Sequence, residues 1–195
     1  NLSGVGSNVV AASAGDVNLG AVNDSANVAE LQIDGENVTL AAITLDNGGT
    51  SLLDVNLDGA ADGGAKTLAA GGAINVGTLT VDGQNSDDAM NFAGAVTTTG
   101  VGITIATADT VDFDADVVAA NGISISTVAT DVDLGADVDL TATTGALSAN
   151  SGVTLINLSG VGSNVVAASA GDVNLGAVND SANVAELQID GENVT

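Results

Sequence analysis

The sequence predicts an all-β chain folded as a parallel β-solenoid, a β-helix with three short strands in each coil. Three observations lead there. Apolar–polar–apolar triplets recur about every 20 residues, turn-forming residues separate them, and the 195-residue chain contains no Pro. Alternation with a period of two is the pattern of a half-buried strand. Gly, Asn, Asp and Ser turn a chain between strands. Proline would delete a ladder hydrogen bond on strands that all lie inside a stack.

A larger repeat contains the triplets. Residues 1–39 and 157–195 are the same 39 letters, so the period is 156 residues. Residues 1–156 are expected to form one full solenoid unit, and 157–195 the first quarter of the next, continuous and without a linker. The chain starts without Met and stops in mid-pattern, as a window from a longer tandem array would. Stacked repeats of this kind bury a core that no single coil can bury alone.

The triplets begin at Val17, Val38, Val55, Ile74, Met90, Val111, Val132 and Val153, and return at Val173. Read as one stacked ladder, they divide 156 residues into about eight coils of about 20 residues, the longest of 21. Two further apolar ladders follow in each coil, one near Val22, Ile43, Leu79, Val96 and Val117, the other near Leu31, Leu52, Leu68, Ile103 and Ile123. In the first ladder Phe92 and Phe113 fall at the same position of neighbouring coils and should stack, as should Asn56, Asn75 and Asn91. The general preference of parallel crossovers makes a right-handed coil the expectation. A helix is excluded by the Gly, Asn, Thr, Val and Asp content and by the lack of any 3.6-residue stripe.

Composition removes several functions. The chain has 25 Asp and Glu, a single Lys, and no Arg, His, Cys, Trp or Tyr, for a net charge of −24. It cannot neutralise phosphates, so nucleic acid is not an expected partner. It lacks the ligands of ordinary zinc and haem sites and the pairs that activate Ser or Cys. Paired carboxylates on a β-helix are known carbohydrate chemistry, but there is no aromatic or guanidinium group to bind a sugar. No enzyme is expected. No apolar run approaches the ~20 residues of a membrane-spanning helix.

The run VDFDADVVAANGISISTVATDVDLGADVDLTATTGALSANSGVTL (residues 111–155), with its V-x-L/F and G-x-I-x-I steps, resembles large bacterial cell-surface proteins. These are the filamentous-haemagglutinin-like adhesins and the β-strand-repeat proteins related to autotransporter passengers. The resemblance is one of pattern over the whole chain. It implies secretion, a long parallel β-helix, and a role as stalk, adhesin or filament. Those families usually carry divergent coil-length repeats, whereas this chain carries an identical 156-residue one, which favours a periodic fibre.

The carboxylates are the remaining candidate chemistry. Alternation in Val111–Val117 puts Asp112, Asp114 and Asp116 on the face opposite Val111 and Phe113. In the eight-coil register Asp133 stacks on Asp112, and Asp137 on Asp116. Oxygen-rich clusters suit Ca²⁺, so these five residues are the candidate metal ligands, against a solvated acidic face that keeps fibres apart. Asp88 is expected beside Asp109. Asn1, Asn23 and Asn37 head N-x-S/T triplets, and Thr97–Thr99, Thr39 and Thr154 raise an ice-binding array. The expected function is structural: a secreted segment of an extracellular filament, sheath or cell-surface fibre whose partners are copies of itself. The alternative is an adhesin or binding stalk, calcium-assisted, which should carry inserted loops.

Overall fold

In a computed structural model the chain is all-β, and the described residues are 2, 5–12, 15–24, 27–45, 48–57, 64–149 and 155–195. The strands in chain order are β1 (Ser7–Ala11), β2 (Val17–Leu19), β3 (Val22–Asn23), β4 (Glu30–Gly35), β5 (Asn37–Leu40), β6 (Ile43–Thr44) and β7 (Leu52–Leu57). Next come β8 (Thr67–Ala70), β9 (Ile74–Asp82), β10 (Ala89–Phe92), β11 (Val96–Phe113), β12 (Val117–Ala119), β13 (Gly122–Leu134) and β14 (Asp139–Ala142). The last are β15 (Leu147–Ala149), β16 (Leu155–Leu158), β17 (Ser163–Ala168), β18 (Val173–Leu175), β19 (Ala177–Asp180) and β20 (Glu186–Asp190).

Every strand pairing is parallel, and the strands stack into three ladders. Ladder A carries Val17, Val38, Leu68, Met90, Val111, Val132, Ile156 and Val178 in successive coils. Ladder B carries Val22, Ile43, Ile74, Val96, Val117, Leu140, Val166 and Ile189. Ladder C carries Leu31, Leu53, Leu79, Ile103, Ile123, Leu147 and Val173. The alternation read in the sequence is the alternation of burial: in β7 Leu53, Val55 and Leu57 are fully buried while Leu52, Asp54 and Asn56 between them are not. Inward residues of all three ladders form one continuous apolar core. Phe92 and Phe113 stack within it, ring centres 5.2 Å apart.

The stack departs from the eight-coil reading in several places: Leu79 lies on ladder C and Leu68 on ladder A, Leu53 rather than Leu52 follows Leu31, Ile156 rather than Val153 follows Val132, and Val173 lies on ladder C. Val55 belongs to ladder C, between Ile33 and Val81, and Ile74 belongs to ladder B, between Ile43 and Val96. Val38 is instead followed in ladder A by Leu68, so that coil is 30 residues long, not 17. The extra chain lies between β7 and β8, where 58–63 are outside the described residues. Asn56, Asn75 and Asn91 therefore lie on ladders C, B and A and do not stack on one another. Val153 and Thr154 are outside the described residues, as are Asn1, Ser3 and Ser25 of the glycosylation triplets. Thr39 has Asn18 and Ala69 as ladder neighbours, and Thr97 has Asn75 and Val118, so neither lies in a threonine array.

Corners set where one ladder ends and the next begins. β11 serves all three ladders by bending at Gly102 and Thr107. Gly102 has φ +128°, and a Cβ there would stand 2.2 Å from the carbonyl oxygen of Gly122 in the next coil. Only glycine fits both demands. Thr107 and its neighbour one coil on, Thr127, both sit at φ 55°. That region is costly for a β-branched side chain, so the flanking ladder pairs Ala106↔Ser126 and Ala108↔Val128 must hold it.

Because the core is a column, one large inward residue supports the coils on both sides. Phe113→Ala should cost about 3–5 kcal/mol, and Phe113→Leu about 1 kcal/mol, both read from denaturant unfolding.

Candidate functional site

The middle residue of each ladder-A triplet points outward, and parallel stacking sets these residues one above another. In five successive coils they are Asn91, Asp112, Asp133, Asn157 and Asn179. The amides bridge the carboxylates. Asn91 Nδ2 donates to Asp112 Oδ2 at 2.8 Å, and more weakly to Asp114 Oδ2 at 3.4 Å. Asn157 Nδ2 donates to Asp133 Oδ1, and Asn179 Nδ2 to Asn157 Oδ1 at 2.9 Å. Each carboxylate end of the column is thus met by an amide, while Asp112 and Asp133 face each other directly.

That juxtaposition has an electrostatic cost. Burial raises the pKa of Asp112 above 3.8, the Asn91 hydrogen bond opposes the rise, and the charges of Asp114 and Asp133 add to it. Asp131 is raised for the same first reason, with Asp133, Asp109 and Asp112 adding to it. Ladder C holds a similar group. Gln32 and Asn56 donate to Asp34 at 3.0 and 3.1 Å, and Asn56 reaches Asp54 at 3.4 Å. Asp54 is raised first by burial, then by Glu30, Asp34 and Asp82, against the Asn56 bond.

The five candidate calcium ligands divide between two places. Asp112 and Asp133 stack as expected, with Asp114 close to Asn91. Asp116 is opposite Asp139 rather than Asp137, because Val117 pairs with Leu140. These corner carboxylates cap the next coil: Asp139 N donates to Asp116 Oδ1 at 3.1 Å, Ser163 N to Asp137 Oδ1 at 2.9 Å, and Val165 N to Asp139 Oδ1 at 2.9 Å. Among the described residues no three acidic side chains gather as a metal-holding group. The lone cation is not on the surface. Lys66 is 5% exposed and its Nζ lies 3.9 Å from Glu36 Oε1. Beside it Asp88 is fully buried, accepting Lys66 N at 2.7 Å and Asn85 N at 3.2 Å, and burial raises its pKa. Asp88 also meets Asp109, whose backbone N donates to the Asp88 carbonyl at 2.7 Å.

Comparison with protein-family models, with curated proteins and with solved structures finds no match to this chain. The geometry therefore carries the functional reading by itself. Its chemistry is that of carboxylates held by amides and backbone N–H groups along a rod, a pattern the sequence hid because the partners lie 21 to 26 residues apart.

Two outcomes follow from the raised carboxyls. A group whose folded pKa exceeds its ordinary value takes up its proton more readily when folded. Its ionisation removes stability as pH rises through the raised value, and stability returns as pH falls back toward 3.8. Mild acidification from neutral pH should accordingly raise the melting temperature, the reverse of ordinary acid denaturation. Asp112→Asn keeps an amide in the column and removes the facing charges. It should raise the melting temperature by about 2 °C, the shift expected from ~0.5 kcal/mol in a chain of this size, and should flatten the acid rise.

Proposed function

We propose that this chain is a structural segment of an extracellular filament, sheath or cell-surface fibre, secreted and built by continuation of its own repeat, with copies of itself as partners and no catalytic role. The observation that carries the reading is the junction between the two copies of the repeat. All three ladders cross it in register: β14 pairs with β17, β15 with β18 and β16 with β19. The unit is therefore its own continuation, with apolar columns and hydrogen bonds running on from one copy to the next. A rod tied by three parallel ladders at every coil resists bending, and its acidic exterior opposes the edge and face association to which bare β surfaces are prone.

A binding stalk of the adhesin kind is the second reading, and the 30-residue coil between Val38 and Leu68 is the feature that favours it. An antibody raised against the repeat and visualised by immunogold electron microscopy on the source cells tests both. Label strung along filaments outside the cell is expected. Label gathered only where cells touch a surface or another cell supports the stalk, and label confined to the cell interior overturns both.

A further inference from the structure

The two copies of the 39-residue segment have the same local structure but not the same place in the coil. The register Ser7↔Glu30 recurs as Ser163↔Glu186. Asn27 and its copy Asn183 have φ of 55° and 58°. Val28 N donates to Asp24 at 2.6 Å, as Val184 N does to Asp180 at 3.0 Å. Asn37 donates to Asp16 at 2.8 Å, as Asn193 does to Asp172 at 2.6 Å. Yet Val17 stands in ladder A and its copy Val173 in ladder C. In the same way β1 lies in ladder C and its copy β17 in B, and β3 lies in B and its copy β19 in A. Every copied strand is displaced by one ladder, in the same sense.

The turn count follows. Ladder A from Val17 through Val38, Leu68, Met90, Val111 and Val132 to Ile156 makes six turns. Val166 in ladder B and Val173 in ladder C add two thirds of another. The 156-residue repeat thus winds 6⅔ turns, about 23 residues per turn, and not a whole number.

We propose that a tandem array of this unit is a threefold screw. This rests on the reading of the chain as part of a continued filament. Each unit repeats the surface of the last, rotated by a third of a turn and advanced about 32 Å at ~4.8 Å per coil. The same surface returns to the same side after three units, about 96 Å along the rod. The exposed residue Val5 precedes β1 on ladder C, and its exposed copy Val161 precedes β17 on ladder B, one ladder away. Any patch through which one rod meets another copy is offered in three directions in succession. Side-by-side contacts therefore propagate as a trigonal bundle rather than a flat ribbon. Eight whole coils would instead return each copy to the same side after about 38 Å.

The 195-residue chain has no Cys, so paired cysteines report the register directly. Outward residues opposite each other on adjacent parallel strands lie within reach of a disulfide. Asn18→Cys with Thr39→Cys is common to both coil counts and should bridge on oxidation. Thr39→Cys with Ala69→Cys, and Ser148→Cys with Asn174→Cys, should bridge as fully. Thr39→Cys with Asn56→Cys should bridge at least tenfold more slowly. Bridging of Thr39 to Asn56 in place of Ala69 overturns the screw, and failure of the Asn18–Thr39 bridge overturns the solenoid with it. Native filaments imaged by electron microscopy should show a rise of about 32 Å with a 120° rotation; a rise of about 38 Å without rotation would overturn the proposal. Bridges as expected with no filament in any preparation would leave the turn count intact and remove the fibre reading.

Discussion

The parallel backbone ladder is the constraint on which everything else in this molecule depends. A strand in such a stack has its hydrogen-bond partners one coil above and one coil below, at ~4.8 Å. Whatever stands at one position must therefore tolerate its counterpart at that distance. Inside, the tolerated neighbours are aliphatic columns such as Val111 on Val132 and the ring pair Phe92–Phe113. Outside, the same geometry brings Asp112 against Asp133, and the column is relieved by amides at Asn91 and Asn157. At the corners it brings backbone so close that Gly102 has no room for a Cβ. Core, surface and turns are three answers to one spacing.

Much of this was legible in the sequence, and the part that was not has a definite physical origin. Period-two alternation identified the strands, the spacing identified stacked coils, and Phe92 over Phe113 followed from the register between them. The ladder to which a triplet belongs did not follow, because all three ladders are built from the same alternation against the same core. Val17-Asn18-Leu19 and Val173-Asn174-Leu175 are identical in sequence and lie on different ladders, so no property of the triplet alone assigns it. What assigns it is the length of chain around each corner, and the long connection after Leu57 leaves Val55 on ladder C and Ile74 on ladder B, with Leu68 between them on ladder A. A longer corner has the same effect on the surface: Asp112 lies on Asp133 as the spacing predicts, but two more residues between Leu134 and Leu140 than between Phe113 and Val117 set Asp116 against Asp139, not Asp137.

Among the described residues, two buried polar side chains each leave one atom without a partner inside the column. Asn164 points inward at a position held by Val138 in the coil before and Leu187 in the coil after. Its Nδ2 donates to the carbonyls of Gly135 and Val138 at 2.8 and 3.0 Å, but its Oδ1 has no partner. Thr98 Oγ1 is likewise buried and unpartnered. Such groups cost stability wherever they are placed, and they cost more in any register that also takes away the carbonyls Asn164 uses. In a repeat whose apolar columns are nearly interchangeable, a residue whose amide N–H groups find their carbonyls in one alignment discriminates against slipped stacking.

The burial of Lys66 has a consequence for the rod as a whole. One unit has 20 acidic residues, the chain's 25 less the five in 157–195, and a single lysine that is turned inward. Its net −19 is spread over 6⅔ turns, about 32 Å. That is one negative charge per ~1.7 Å of axis, the linear charge density of duplex DNA. In a continued array the acidic exterior is thus a polyelectrolyte rather than a scatter of surface charges. Such an exterior, continued as proposed, would condense counterions as duplex DNA does, and cations of higher valence displacing them would set how closely two rods could approach.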